Sequence, residues 1–286
     1  MYLALNGALL GGRVGWPELA ELAARAGYAG LEIPLSAAMQ GGLQATRSLL
    51  YRLQLRPAAA NLPVNFRQDE PTFRAGLQQL PVAADFAARL GCHVMTTWIM
   101  SSTDRPPAEE RKILRERLST CAEVLNDYGL RLALEFLGPL HLRQRFKHPF
   151  VYRMADMLEF ARECGPNVGL LLDSWHWHHA GATVDDILAA GQDGILHVHL
   201  ADAPDLPPEK ILDNERLMPG EGVIDWLGFF GALRQIGYQG ALSPEVFGRG
   251  LKDMKPEDAA RLGASYTLSL AERFGLVLQH PKRQSD

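Results

Sequence analysis

Cysteine is scarce in this chain, three residues in 286, and Cys92, Cys121 and Cys164 lack the spacing of a zinc knuckle or of an even disulfide framework. A closed thiolate zinc site and a disulfide-held secreted scaffold are therefore not expected, and a reducing cytoplasm is the compartment such cysteines suit. Neither sign of charge dominates. With 29 Lys and Arg against 33 Asp and Glu, the net charge is -4, and the basic face of a nucleic-acid-binding surface is missing. The one basic concentration, Arg143, Arg145 and Lys147 with His141 and His148, reads as a solvated or substrate-facing loop. No apolar run approaches the roughly 20 residues that span a bilayer, and the opening MYLALNGALLGGR lacks the layout of a signal peptide. Nucleic-acid and membrane partners are accordingly not expected.

What is present is an ordinary globular composition, 47% hydrophobic and 22% charged over 286 residues, long enough for one large domain. Short aliphatic runs alternate with segments of helical spacing from end to end. Strands are expected at Tyr2 to Leu5, in GLEIP, at Arg56 to Ala60, at His93 to Trp98, in LRLALEF up to Glu135, and at Val168 to Asp173, Ile195 to Leu200 and Ala241 to Glu245. Helical patterns fall between them: WPELAELAARAG, 45 to 53, 72 to 90, 108 to 128, 150 to 164, 184 to 190, 225 to 236, and finally 256 to 274. Eight strand–helix pairs with no break in composition predict a single (β/α)8 barrel over residues 1–275, with 276–286 as a tail. The longest irregular stretch, 203 to 222, is rich in Pro and charge and is expected to be a lid or binding loop.

Four of these strands end in residues that can hold a metal: Glu135, Asp173, His199 and Glu245. Continuous aliphatic runs suit strands buried on both faces, and in a barrel of this kind functional side chains gather at the carboxyl ends of the strands. Three carboxylates brought together cannot all remain ionised unless some take up protons or a cation sits among them. Taken singly, Glu135 reads equally well as a loop cap, and Asp173 as an N-cap with His176 satisfied nearby. Taken together, the four point to a divalent ion, for which oxygen and imidazole donors favour Mn, Mg or Co and admit Zn. His197 lies two residues from His199, on the same side of the strand, as a supporting or packing residue. Asp202 is placed to orient His199 by accepting its other ring proton. Asn6 and Asn61 follow strands one and three as turn residues or as hydrogen-bonding groups for a substrate. Trp98, Trp175, Trp177 and Phe247 are pocket walls or ordinary core.

The runs LALEF, LLLDSWHW, HVHLADAP, RLMPGEG and LSPEVF resemble the xylose isomerase-like TIM barrel superfamily. That superfamily includes ketose 3-epimerases, hydroxypyruvate isomerases, inosose and 3-dehydroshikimate dehydratases, and apurinic endonucleases. The resemblance implies that Glu135, Asp173, His199 and Glu245 bind the metal and that His176 and Arg216 hold substrate oxygens. It further implies an isomerase or epimerase of a small ketose, sugar or sugar phosphate, acting by proton abstraction and a metal-stabilised enediolate. Glu135 and Glu245 are then the acid–base pair. A dehydratase on the same scaffold is the alternative, ahead of an apurinic endonuclease or a metabolite-binding barrel without catalysis. One run departs from the 3-epimerases, because Phe136 to His141 lacks the second acid that follows their first glutamate. The expected partner is a small polyhydroxy carbonyl compound, and a homo-oligomer is left open.

Overall fold

A computed structural model describes residues 1–248 and 250–279. Eight parallel strands close into a barrel: β1 (Tyr2–Leu5), β2 (Gly30–Ile33), β3 (Arg56–Asn61), β4 (Val94–Ile99), β5 (Arg131–Phe136), β6 (Val168–Asp173), β7 (Ile195–Leu200) and β8 (Ala241–Pro244). Their order around the ring is β1-β8-β7-β6-β5-β4-β3-β2, so the expected (β/α)8 architecture holds. Every residue of β6 and β7 is buried, which is why those runs read as unbroken aliphatic sequence. Among the described residues no helix is long and apolar enough to cross a membrane.

The main helices fall where periodicity places them, with ends shifted by a few residues. Glu70–Leu90 begins on Asp69, whose side chain accepts from the Thr72 N–H, and stops at Gly91 with φ of 85°, a left-handed turn that glycine adopts without a Cβ clash. Several short elements carry no sequence signal strong enough to expect them. They are the helices Leu35–Gly41, Leu140–Arg143 and Ser174–His179 and an antiparallel ribbon pairing Ser102–Thr103 with His148–Pro149. Runs of four to seven residues are too short for helical periodicity to rise above chance. Past residue 275, Leu276 and Leu278 are buried and Gln279 bridges to Tyr2. These residues of the expected tail pack against the barrel, and the rest of it, 280–286, lies outside the described residues.

Register aligns the strand ends. Asp173 stands opposite His199 across β6 and β7, Ser243 stands opposite His199 across β7 and β8, and the Glu245 N–H donates to Leu200 O at 2.9 Å. Glu135 pairs with Leu171 on one side and Trp98 on the other. Parallel strands in such register carry their last residues to one mouth of the barrel.

Candidate metal centre

At that mouth, Glu135, Asp173, His199 and Glu245 each offer one ligand atom within 4.8 Å of the other three. The four lie on β5, β6, β7 and the end of β8, as aliphatic strands deliver them. Two buried atoms in the group have no hydrogen-bond partner, Glu135 Oε1 and His199 Nδ1, and they lie 3.8 Å apart. An acceptor and a ring nitrogen left bare in a buried site are costly unless something binds both. Three carboxylates and one imidazole fit a divalent cation in that role.

Charge within the cluster is sharply divided. Burial pushes the Glu135 carboxyl well above the usual carboxylate range, and neighbouring Glu245 and Asp173 push the same way. Glu245 is driven below that range despite burial, because His199 and Arg216 lie against it. His199 is held above the ordinary histidine value, since Glu245 and Glu32 outweigh the opposing effect of burial.

Glu32, on β2, is the residue that the sequence reading did not select. Its Oε1 lies 2.9 Å from His197 Nε2 and 3.0 Å from His199 Nε2, and these two imidazoles keep the carboxylate ionised against the cost of burial. Glu32, His197 and His199 also form a second group of donors close enough to share an ion. A carboxylate behind a metal-binding histidine fixes which ring nitrogen faces the metal. The signal was present: GLEIP sets a carboxylate into an apolar strand just as LALEF does. Asn6 completes this side, its Nδ2 donating to Glu245 Oε1 at 3.1 Å and to both Glu32 oxygens at 3.3 Å while its Oδ1 accepts from Ala8 N at the start of a 3-10 turn.

Asp202 does not meet His199. Its carboxylate accepts from the N–H groups of Ala203, Gly220 and Ile224 and from Trp226 Nε1 at 2.7 Å. It therefore closes the base of the 203–222 loop, helped by a backbone bridge to Leu217. Four nearby donors satisfy a buried carboxylate more fully than one imidazole would. The same loop carries Asp213 and Arg216 into the site. Arg216, 1% exposed, donates through Nη1 to Asp173 at 2.8 Å and to Glu245 at 3.0 Å, and through Nη2 to Asp213 at 2.9 Å.

His176 projects from the short helix Ser174–His179, which Asp173 caps by accepting the Trp175 N–H. Gly138 approaches this helix so closely that a Cβ would clash with His176 O, and its N–H points at His176 Nδ1 across 3.3 Å. Burial lowers the His176 pKa, which favours the neutral form. Nε2 lies 3.2 Å from Arg216 Nη2 and 3.9 Å from Glu135 Oε1. Donors thus face both ring nitrogens, and a neutral imidazole accepts through only one of them at a time.

Asp173 is fully buried, while Glu135, His199 and Glu245 line the floor of a cavity of about 680 Å³, within the usual range for small-molecule sites. Trp98 and Phe247 line it together with Asn6 and Asn61, whereas Trp175 and Trp177 are buried in the core. Arg145, from the basic cluster of the sequence, also lines it.

A closed parallel barrel with a buried acid–histidine cluster at its carboxyl mouth defines the class of (β/α)8 proteins with a metal-competent centre. The chain belongs to the xylose isomerase-like TIM barrel family, whose pattern matches residues 20–270. A xylose isomerase domain protein from Alicyclobacillus acidocaldarius is 32% identical and superposes with a TM-score of 0.87 over 96% of this chain and 99% of that one. An inosose isomerase from Bacillus velezensis is 27% identical over 232 residues, 77% of each chain. The structure of the IolI protein with a bound zinc atom, 24% identical, has a TM-score of 0.80 over 96% of this chain and 99% of that one.

Proposed function

We propose that the protein is a divalent-metal-dependent isomerase or epimerase of a small polyhydroxy carbonyl compound. The observation that carries this reading is the cluster of Glu135, Asp173, His199 and Glu245, with two bare donor atoms, three of whose residues line a cavity of about 680 Å³. Its similarity to an inosose isomerase supports the same class of chemistry. The proposed ligands are those four residues, and the oxygen-rich donor set favours Mn, Mg or Co. Zinc is admitted, and the zinc bound by IolI is in keeping with it. Once bound, such an ion polarises a carbonyl and its adjacent hydroxyl.

The protein's own groups would do the rest. Glu135 and Glu245 are the proposed acid–base pair, one taking the C–H proton next to the carbonyl and the other returning a proton to the neighbouring carbon or to the opposite face. Environments that drive two carboxyls to opposite ends of the titration scale, as here, suit such a division of roles. His176 and Arg216, both lining the cavity, are the proposed groups that hold substrate oxygens. Glu32, Asn6 and His197 hold His199 in orientation.

The test is proton NMR of the Mn2+-loaded protein with ketoses and inosose in deuterated water. Deuterium entering at the carbon next to the carbonyl, without loss of water, is expected, as is its disappearance in Glu135→Gln and Glu245→Gln. Elimination of water would instead make the protein a dehydratase. Exchange that persists undiminished in both variants would remove the acid–base assignment.

A further inference from the structure

A second chamber of about 600 Å³ adjoins the cavity above the candidate metal centre. Four residues line both spaces, Arg67, Trp98, Met100 and Arg145, and two of the four are arginines. Among the described residues neither arginine has a carboxylate within ion-pairing distance, unlike their neighbours. Arg105 in the second chamber is paired with Glu110 at 2.8 Å, and Arg216 on the cavity floor is surrounded by Asp173, Asp213 and Glu245.

Arg67 is nonetheless held firmly. Its guanidinium lies over the Trp98 ring, 3.7 Å from the centroid, and over Phe66 at 4.3 Å. Its Nη2 donates to Thr97 Oγ1 at 3.0 Å and to Trp98 O. Both hydrogen bonds use one nitrogen, so the Nε–H and the Nη1 hydrogens have no acceptor among the described residues and remain as single charged donors for an anion. Burial lowers its pKa to about 10, so it stays cationic at neutral pH. Arg145 adds a second unpaired charge at the same boundary. The acids of the far chamber, Asp104 and Glu110, accept from the Lys147 N–H and from Arg105, which leaves the positive potential at the boundary itself. The cavity is thus polarised, with four carboxylates on its floor and two uncompensated guanidiniums where it opens.

We infer that Arg67 and Arg145 form a subsite for an anionic end group, so that the substrate is a polyhydroxy carbonyl compound bearing a phosphate or a carboxylate at the end remote from its carbonyl. This rests on the reading of the four-residue cluster as the site that handles the carbonyl. Such a compound spans the cavity in one orientation only, because its charged end is repelled from the acidic floor and attracted to the boundary. The stacked, pinned Arg67 loses little side-chain freedom on binding.

The experiment is calorimetric titration of the full chain, loaded with Mg2+, with inorganic phosphate and separately with acetate. Saturable binding of one of the two is expected, weakened at least tenfold in Arg67→Gln and in Arg145→Gln, while Mg2+ affinity stays within twofold. Arg67→Lys keeps the charge and loses the planar guanidinium stacked on Trp98 and Phe66, and is expected to fall between wild type and Arg67→Gln. Tighter phosphate binding identifies a phosphorylated substrate, and tighter acetate binding a carboxylate. Anion binding that is absent, or equal in all variants because the anion sits on the metal, overturns the inference. The titration involves no turnover, so its failure is distinguishable from a failure of the deuterium-exchange test.

Discussion

His199 turns Nε2 to within 3.0 Å of Glu32 Oε1 and leaves Nδ1 bare, 3.4 Å from Glu245 Oε2 and 3.8 Å from Glu135 Oε1. The two strands involved, β2 and β7, are not neighbours in the sheet, so the contact crosses the barrel interior. Glu32 therefore fixes the ring so that its free nitrogen faces the carboxylates, the arrangement a metal ligand needs.

Glu32→Gln keeps the side chain's shape but removes its charge. Metal affinity is expected to fall about 10–100-fold, the usual cost of losing such a supporting carboxylate, with the far-ultraviolet circular dichroism unchanged. Titration with Mn2+ followed by electron paramagnetic resonance measures it. An affinity equal to wild type would reduce Glu32 to a bystander.

Metal uptake should release protons. Glu135 and His199 are both raised above their ordinary values in the metal-free centre, which favours their protonated forms, and a ligand must lose its proton to bind. Calorimetry in buffers of different ionisation enthalpy is expected to show a net release of protons on metal binding near neutral pH. A value of zero would contradict the charge division described above.

Without metal, stability should fall off in acid. The depressed values of Glu245 and Asp213 contribute stability that is present above their unfolded values and is lost as pH falls through the folded ones. His176, His178 and His179, lowered by burial, add a cost as pH falls below their unfolded value. His199 and Glu135, both raised, act in the opposite sense. The midpoint of thermal unfolding in chelator is expected to drop steeply below about pH 4. A midpoint that stays level into that range would oppose this account.

Arg216 is the internal counter-cation of the acidic floor. Replacing it with Met leaves buried carboxylates unpaired, and the metal-free protein should lose about 3–5 kcal/mol in urea unfolding. The loss should shrink when metal is present, because the ion then supplies positive charge to Asp173 and Glu245. Equal losses with and without metal would mean that the centre does not share those carboxylates.

Asp202→Asn tests the loop. The amide cannot serve all the donors that now reach the carboxylate, so residues 203–222 should become more open to limited proteolysis while Mn2+ affinity changes less than threefold. A large loss of metal affinity would return Asp202 to the role of orienting His199.

Linear sequence determined the barrel and the four residues that meet at its mouth, because aliphatic strands buried on both faces leave a period and a polar terminus that can be read locally. Glu32 carried the same mark within GLEIP, yet its partner His199 stands across the barrel, and only closure of the sheet joins them. Asp202 shows the opposite case: nearness in sequence to His199 suggested contact, but the backbone donors of its own loop reach the carboxylate instead. Arg67 carries no mark in the sequence and Arg145 reads there only as part of a solvated or substrate-facing loop, since a missing counter-charge depends on which side chains come within a few ångströms. Strand pattern is a local property of the chain, whereas pairing, burial and charge balance are set by distances that exist only once it has folded.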